Sequence, residues 1–190
     1  MENLRYYIMI LLILIFSSCN NGNKNISSIA NLNIEYYENG KIKSIDIPED
    51  SAKGKTATIW FNSNGNLRSI QHHIDTLNDG IVLWFYPNEN LEDFAIFKNG
   101  IPNGSSFQFY RDGCIQAHAY WRDGRTSGLS FYYFDDTIGF VKSISRYNDT
   151  GKLVGFRRAL HPNDDLVELP ADKLDSLKPI PLDTSDSSLN

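Results

Sequence analysis

Apolar and polar positions alternate along most of this chain in short runs, each closed by Gly, Asn or Asp. Alternation with period two places successive side chains on opposite faces of an extended strand. Between Gly80 and Phe134 the pattern says nearly the same thing three times. Asp79-Gly80 leads into Ile81–Tyr86, Asn103-Gly104 into Ser105–Tyr110, and Ser127-Gly128 into Leu129–Phe134. The glycines stand 24 residues apart (104 − 80 and 128 − 104), as do the closing aromatics (110 − 86 and 134 − 110). A fixed period of this size marks a repeat architecture.

Extending the period in both directions gives about five hairpin units from Ile34 to Leu160. The first passes through Tyr36-Tyr37, turns at Asn39-Gly40 and continues over Lys41–Ile47; Asn-Gly predicts a type I′ turn there. After a looser connection over Pro48–Lys55, strands are predicted at Thr56–Phe61 and Leu67–Ile74, then Ile81–Tyr86 and Leu91–Phe97. Further strands follow at Ser105–Tyr110, Ile115–Trp121, Leu129–Phe134, Phe140–Tyr147 and a closing Leu153–Leu160. The expected fold is all-β: an elongated antiparallel meander of stacked β-hairpin repeats forming a single twisted sheet. Leu83, Phe85, Phe107, Phe109, Phe131 and Tyr133 fall on one row, and Trp84, Tyr86, Gln108, Tyr110, Tyr132 and Phe134 on the other. A lone hairpin is marginal in water, so stacking these rows is what holds the units together.

The start of the chain reads differently. Arg5 precedes an apolar run from Tyr6 to Phe16, and Ser17-Ser18-Cys19 follows. Eleven apolar residues are too few to span a bilayer, which needs about 20, but they suit the core of a signal peptide. Small residues directly before Cys19 resemble the lipobox of bacterial lipoproteins. That resemblance implies cleavage before Cys19, acylation of it (palmitate included), and a cell-envelope address at the outer membrane, with the membrane as a partner through the lipid. Residues 1–18 are thus expected to be a signal peptide, 19–33 an Asn- and Ser-rich tether, 34–160 the repeat domain and 161–190 a tail.

Charge sharpens the picture at the other end. From Cys19 to Leu160 there are 15 basic and 15 acidic residues, whereas 161–190 holds 7 acids and 2 lysines, so the tail carries the net −5. A neutral body with an acidic tail excludes a nucleic-acid partner, whose binding rests on a basic footprint. The tail, with Pro162, Pro170, Pro179 and Pro181, is expected to be mostly extended and able to cap the open end of the sheet.

Chemistry is sparse. Cys114 is the one cysteine besides Cys19 and reads as a small strand residue. His72 and His73 are neighbours on a strand and face opposite ways, and His118 aligns with Phe94 and Ile70 as a packing position. No metalloprotease, nucleophile-elbow or phosphate-loop motif occurs, and the acids sit chiefly in turns, where Asp is favoured for backbone hydrogen bonds. No catalytic residue, metal or cofactor is expected. Trp60, Trp84, Tyr110, Trp121 and Tyr132 are candidate ligand-facing aromatics for stacking on sugar rings.

Two further resemblances lie in short motifs. Asp-(Ser/Thr) followed by a small or aliphatic residue resembles the O-glycosylation sequon of some anaerobic Gram-negative bacteria. It occurs four times, at Ser51, Thr76, Thr137 and Ser176. The runs YYENGKI (36–42), FKNGIPNGSSFQFYRDG (97–113) and WRDGRTSGLSFYYF (121–134) resemble the MORN-type repeat variant of bacterial proteins labelled YwqK-family antitoxins. The resemblance implies an extended sheet of hairpins that serves as an interaction or scaffold surface for an envelope protein or glycan. It also carries the label of an antitoxin or immunity-like protein.

Overall fold

A computed structural model describes residues 32–135, 140–159, 161–162, 164–170 and 173. The chain divides into two units, 1–31 and 32–190, and all described residues belong to the second. Its described residues form one open antiparallel sheet of 13 strands, in chain order but for the short β9, which pairs with β8. The strands are β1 (Asn33–Tyr36), β2 (Ile42–Asp50), β3 (Lys55–Phe61), β4 (Leu67–Ile74), β5 (Leu77–Phe85) and β6 (Leu91–Lys98). Then come β7 (Ile101–Phe109), β8 (Ile115–Arg122), β9 (Arg125–Thr126), β10 (Gly128–Tyr133), β11 (Val141–Tyr147), β12 (Leu153–Arg158) and β13 (Val167–Glu168). β9 and β10 flank Ser127 and both pair with β8, through Trp121↔Thr126 and His118↔Phe131, so they are two halves of one strand. The stacked-hairpin meander expected from the sequence is the observed fold.

The two ends of the sheet use different turns. At one end four turns close with a bond from residue i+3 to residue i: Gly40 to Tyr37, Gly65 to Asn62, Glu89 to Tyr86 and Gly113 to Tyr110. The fourth residue alone has positive φ (78°, 95°, 67° and 94° in that order). This is a type I turn followed by a left-handed bulge residue, and it corrects the type I′ turn expected at Asn39-Gly40. The opposite end holds one more of these bulged type I turns, at Asn148–Gly151 (Gly151 N to Asn148 O, φ 79°), and two true two-residue type I′ turns. Asn99-Gly100 (φ 50° and 77°) joins β6 to β7, and Asp123-Gly124 (φ 50° and 77°) joins β8 to β9.

Those tight turns move several strand boundaries. β5 begins at Leu77 rather than Ile81, and β7 at Ile101 rather than Ser105, so Gly80 and Gly104 lie inside strands instead of leading into them. They sit where the register jumps. Between His73↔Asn78 and Gln71↔Val82, β4 advances by two residues (73 − 71) and β5 by four (82 − 78). Between Phe97↔Pro102 and Ala95↔Ser106 the same jump recurs, 24 residues on along both strands. Gly104 shows why the position is glycine: φ is 136°, and a Cβ there would stand 2.9 Å from the Ile96 Cβ. The loose connection expected over Pro48–Lys55 is shorter too, since β2 runs to Asp50 and a 3-10 turn over Ser51–Lys53 leads to β3.

Cross-strand pairing fixes the two faces. One face carries Trp60, Ser69, Trp84, Asp93, Gln108, Ala117 and Tyr132 in successive register. The other carries Ile45, Ile59, Ile70, Leu83, Phe94, Phe107, His118, Phe131 and Ile144. Burial in a single layer must come from side chains lying over smaller neighbours. Val82, Ala95 and Phe97 form the most enclosed cluster, with Trp84 packed on it, and Trp84 meets Phe97 edge-on at 6.2 Å between centroids.

Candidate functional site

The turn residues at the type I end do more than close hairpins. Tyr37 Oη donates to the Phe61 carbonyl, Tyr86 Oη to Phe109 and Tyr110 Oη to Tyr133, each at 2.7 Å. Each acceptor belongs to the next hairpin along the sheet. Amides repeat the device: Asn39 Nδ2 donates to the Ser63 carbonyl, Asn66 Nδ2 to Pro87 and Asn88 Nδ2 to Arg111, all at 2.9 Å. Lys41 Nζ reaches the Asn64 carbonyl as well. At the type I′ end the linkage runs the other way. Gly100 N donates to the Asn78 carbonyl at 2.7 Å and Gly124 N to Pro102 at 2.9 Å. Polar turn groups are thus consumed in tying repeat to repeat.

This accounts for much of the candidate aromatic set. All five are partly buried. Trp60, Trp84 and Tyr132 share the first cross-strand row. Trp84 covers the enclosed cluster, and Trp121 lies off that row with Nε1 donating to Ser106 Oγ at 2.8 Å. Tyr110 belongs to the tyrosine ladder, and its neighbour Tyr86 has its phenol pushed above the ordinary range, by burial first and by Glu92 and Asp93 next. Tyr132 Oη accepts from Gln116 Nε2 at 2.8 Å, while Lys142 Nζ stands 5.6 Å from the Tyr132 ring and 5.5 Å from Phe134. The structure brings Trp60, Trp84 and Tyr132 into one row and does not bring all five into one patch.

On the other face His118 is a packing residue. Its ring lies 4.3 Å from Phe107 and 6.3 Å from Phe131, nearly parallel to both (9° and 6°). Burial holds its imidazole below the ordinary histidine range. Phe94 extends the stack at 5.9 Å from Phe107.

One arrangement escaped the sequence. Thr58 Oγ1 donates to Asp46 Oδ1 at 2.8 Å and lies 2.7 Å from His73 Nε2, while His73 Nδ1 is 2.9 Å from the Asp75 carbonyl. The spacing is that of a nucleophile and its base, but Thr58 is 2% exposed, so no substrate atom reaches its hydroxyl. The chain of bonds crosses β2, β3 and β4 and pins their register. His72 turns to the opposite face and pairs with Glu49, Nδ1 to Oε1 at 3.1 Å. Only the Cβ alternation of adjacent strand residues signalled this split. Among the described residues no group of three or more His, Cys, Asp or Glu is placed to hold a metal.

Of the four sequon hydroxyls, Ser51 and Thr76 are exposed at turns on the same end of the sheet. Thr137, Ser176 and the lipidation candidate Cys19 lie outside the described residues. Cys114 is partly buried beyond the Asp112-Gly113 turn, and its thiol is pushed up by desolvation and by Asp112. The tail reaches the sheet: β13 pairs with β12 through Arg157↔Glu168 and Arg158↔Val167. β12, expected to close the sheet, is therefore not its last strand.

No curated protein matches this chain. Among solved structures, TarM of S. aureus bound to fondaparinux, alpha-GlcNAc-glycerol and UDP aligns at 9% identity and a TM-score of 0.37, over 63% of this chain and 23% of that one. A second TarM structure aligns at 9% identity and a TM-score of 0.34, over 60% and 27%. The chain spans about a quarter of the length of these structures, and at such values the likeness carries no conclusion. The family model for the MORN repeat variant matches residues 32–46, the stretch that forms β1, its turn and the start of β2. The first hairpin thus carries a MORN-type repeat.

Proposed function

We propose that this chain is a non-catalytic scaffold of the bacterial cell envelope, anchored by lipid at Cys19 and presenting its repeat sheet to a protein partner. The observation that carries the reading is where the polar groups go. Tyrosine hydroxyls, turn amides and backbone N–H groups are spent on adjacent repeats, which leaves a surface that offers shape rather than convergent reactive groups. A MORN-type repeat at the start of an open sheet is consistent with an interaction module. Pull-down from crosslinked envelopes should return a discrete, stoichiometric partner; retention of the protein on glycan resin alone would sink the protein-scaffold reading. Mass spectrometry of the host-purified protein should find Cys19 N-terminal and acylated, and an intact leader or a free thiol there would remove the anchor.

The glycan reading rests on the row shared by Trp60, Trp84 and Tyr132, all partly exposed. Trp60 and Trp84 stand two strands apart, about 9.6 Å by the usual strand spacing, a separation that suits stacking on alternate sugars of an extended chain lying across the strands. Sugars carried by the protein itself are a separate matter. Exposure of Ser51 and Thr76 at turns supports glycans there, and a single unshifted mass for the mature protein would refute modification.

A further inference from the structure

The acidic tail occupies the edge of β12 in an unusual way. β13 pairs only two residues against a six-residue strand, and Leu169 N adds one bond to the Phe156 carbonyl at 2.9 Å. Leu153 and Gly155 pair with β11, and among the described residues no strand flanks them on the other side. The side chains of this pairing face water. Val167 is 63% exposed, and the Arg157–Glu168 ion pair (3.2 Å) is 58% and 59% exposed. An ion pair that open is screened by salt and contributes little. The segment returns from β12 through a turn in which Asp164 N donates to the His161 carbonyl and His161 N to Asp164 Oδ2, both at 3.0 Å. Everything about the contact is short, solvated and local.

An exposed strand edge is a template for a further strand, and this one carries an arginine on each face, Arg157 and Arg158. We infer that the β12 edge is a docking site for an extended acidic peptide of a partner protein, and that β13 holds it closed when the partner is absent. This rests on the protein-scaffold reading and names the surface used. The incoming strand would pair along Leu153–Arg158, twice the span that the tail engages with its three positions. It would place a carboxylate opposite Arg157, where Glu168 now sits. A longer ladder outcompetes a shorter one for the same edge, so the partner displaces the tail without any change in the rest of the sheet.

The test uses the full chain with Val167→Pro and Leu169→Pro, which removes the tail's own ladder donors, and a dye-labelled synthetic peptide of residues 164–170. Fluorescence anisotropy should show the peptide binding the double variant at least ten-fold more tightly than the unaltered chain. Binding should weaken as salt is raised. Arg157→Glu on the same background, or the peptide with Glu168→Lys, should weaken binding about three-fold at low salt. Equal affinity for variant and unaltered chain, no binding to either, or indifference to the charge at Arg157 would each overturn the proposal. So would sedimentation showing that the double variant pairs with itself through β12, which would make the occupant a second copy. A failed titration removes the edge alone; a partner captured from crosslinked envelopes would still stand, through another surface.

Discussion

Tyr110 shows how a residue chosen as a ligand contact can belong to the frame, in the same way as its neighbour Tyr86. Each hydroxyl reaches a main-chain carbonyl of the next hairpin at 2.7 Å. A neutral hydrogen bond of this kind contributes about 0.5–1.5 kcal/mol net. Tyr110→Phe should therefore lower the unfolding free energy by about 1 kcal/mol, read as a lower urea midpoint at unchanged slope; an unchanged midpoint would mean that the ladder bonds are ornamental. His118 gives a pH-dependent counterpart. Burial between Phe107 and Phe131 disfavours its charged form, so the unfolded chain takes up the proton first as pH falls. Its contribution should be constant above pH 6.5, the ordinary histidine value, and decline below it. His118→Phe keeps the ring stack and should flatten that decline in urea midpoints measured between neutral and mildly acidic pH.

At the scale of the element, the sequence showed more than was read from it. β4 falls where alternation placed it, Leu67–Ile74. β5 does not, because Asp79-Gly80 resembles a turn while the actual turn, between Ile74 and Leu77, contains no glycine. Its repeat equivalents, Asn99-Gly100 and Asp123-Gly124, stand 24 and 48 residues on from Asp75-Thr76 (99 − 75 and 123 − 75), so alignment of the repeats was the missing signal. Positive φ at Asp75 alone in the first case (53°) and at both residues in the later ones shows the same bend made by different chemistry. The contact of Thr58 with His73 was not legible, since it is diagonal (Thr58 pairs with Gln71 and Thr56 with His73) and depends on exact register and side-chain rotamer. Gly104→Ala separates the two kinds of glycine. It forces a Cβ against Ile96 at positive φ and should cost well over the ~1 kcal/mol typical of a conformational effect alone. Gly113→Ala, with positive φ but nothing within 4 Å, should cost less. Thermal melts of the pair would decide it; equal losses would mean that the close approach to Ile96 is relieved for nothing.

For the whole molecule the decisive property is that, through the central repeats, turns and register jumps recur at the same 24-residue step. Gln71↔Val82 becomes Ala95↔Ser106 when 24 is added to each residue. Deleting residues 87–110 joins Tyr86 to Arg111, as Tyr110 joins it now, and should leave a folded sheet shorter by one hairpin. Circular dichroism should keep its strand signature, and the urea slope should fall in proportion to the surface lost. Deleting 23 residues from the same place shifts every later side chain to the wrong face and should abolish folding. A protein that folded equally well after either deletion would not be a register-locked array. The aromatic face candidates were legible for the same reason as the array, through alternation, but their partial burial was not. That depends on how Trp84 and Trp121 lean over Ala95 and Ser106 on neighbouring strands.

The laced turns also have a direction. At one end of the sheet tyrosine and asparagine side chains donate to the hairpin made after their own, while at the other the main-chain N–H groups of later turns donate back to earlier residues. When the amino end forms first, a newly added hairpin in the laced stretch supplies the carbonyl acceptors for its predecessor's tyrosines and the main-chain donors that secure its own turn. Growth from that end then proceeds as a zip that closes one tooth at a time.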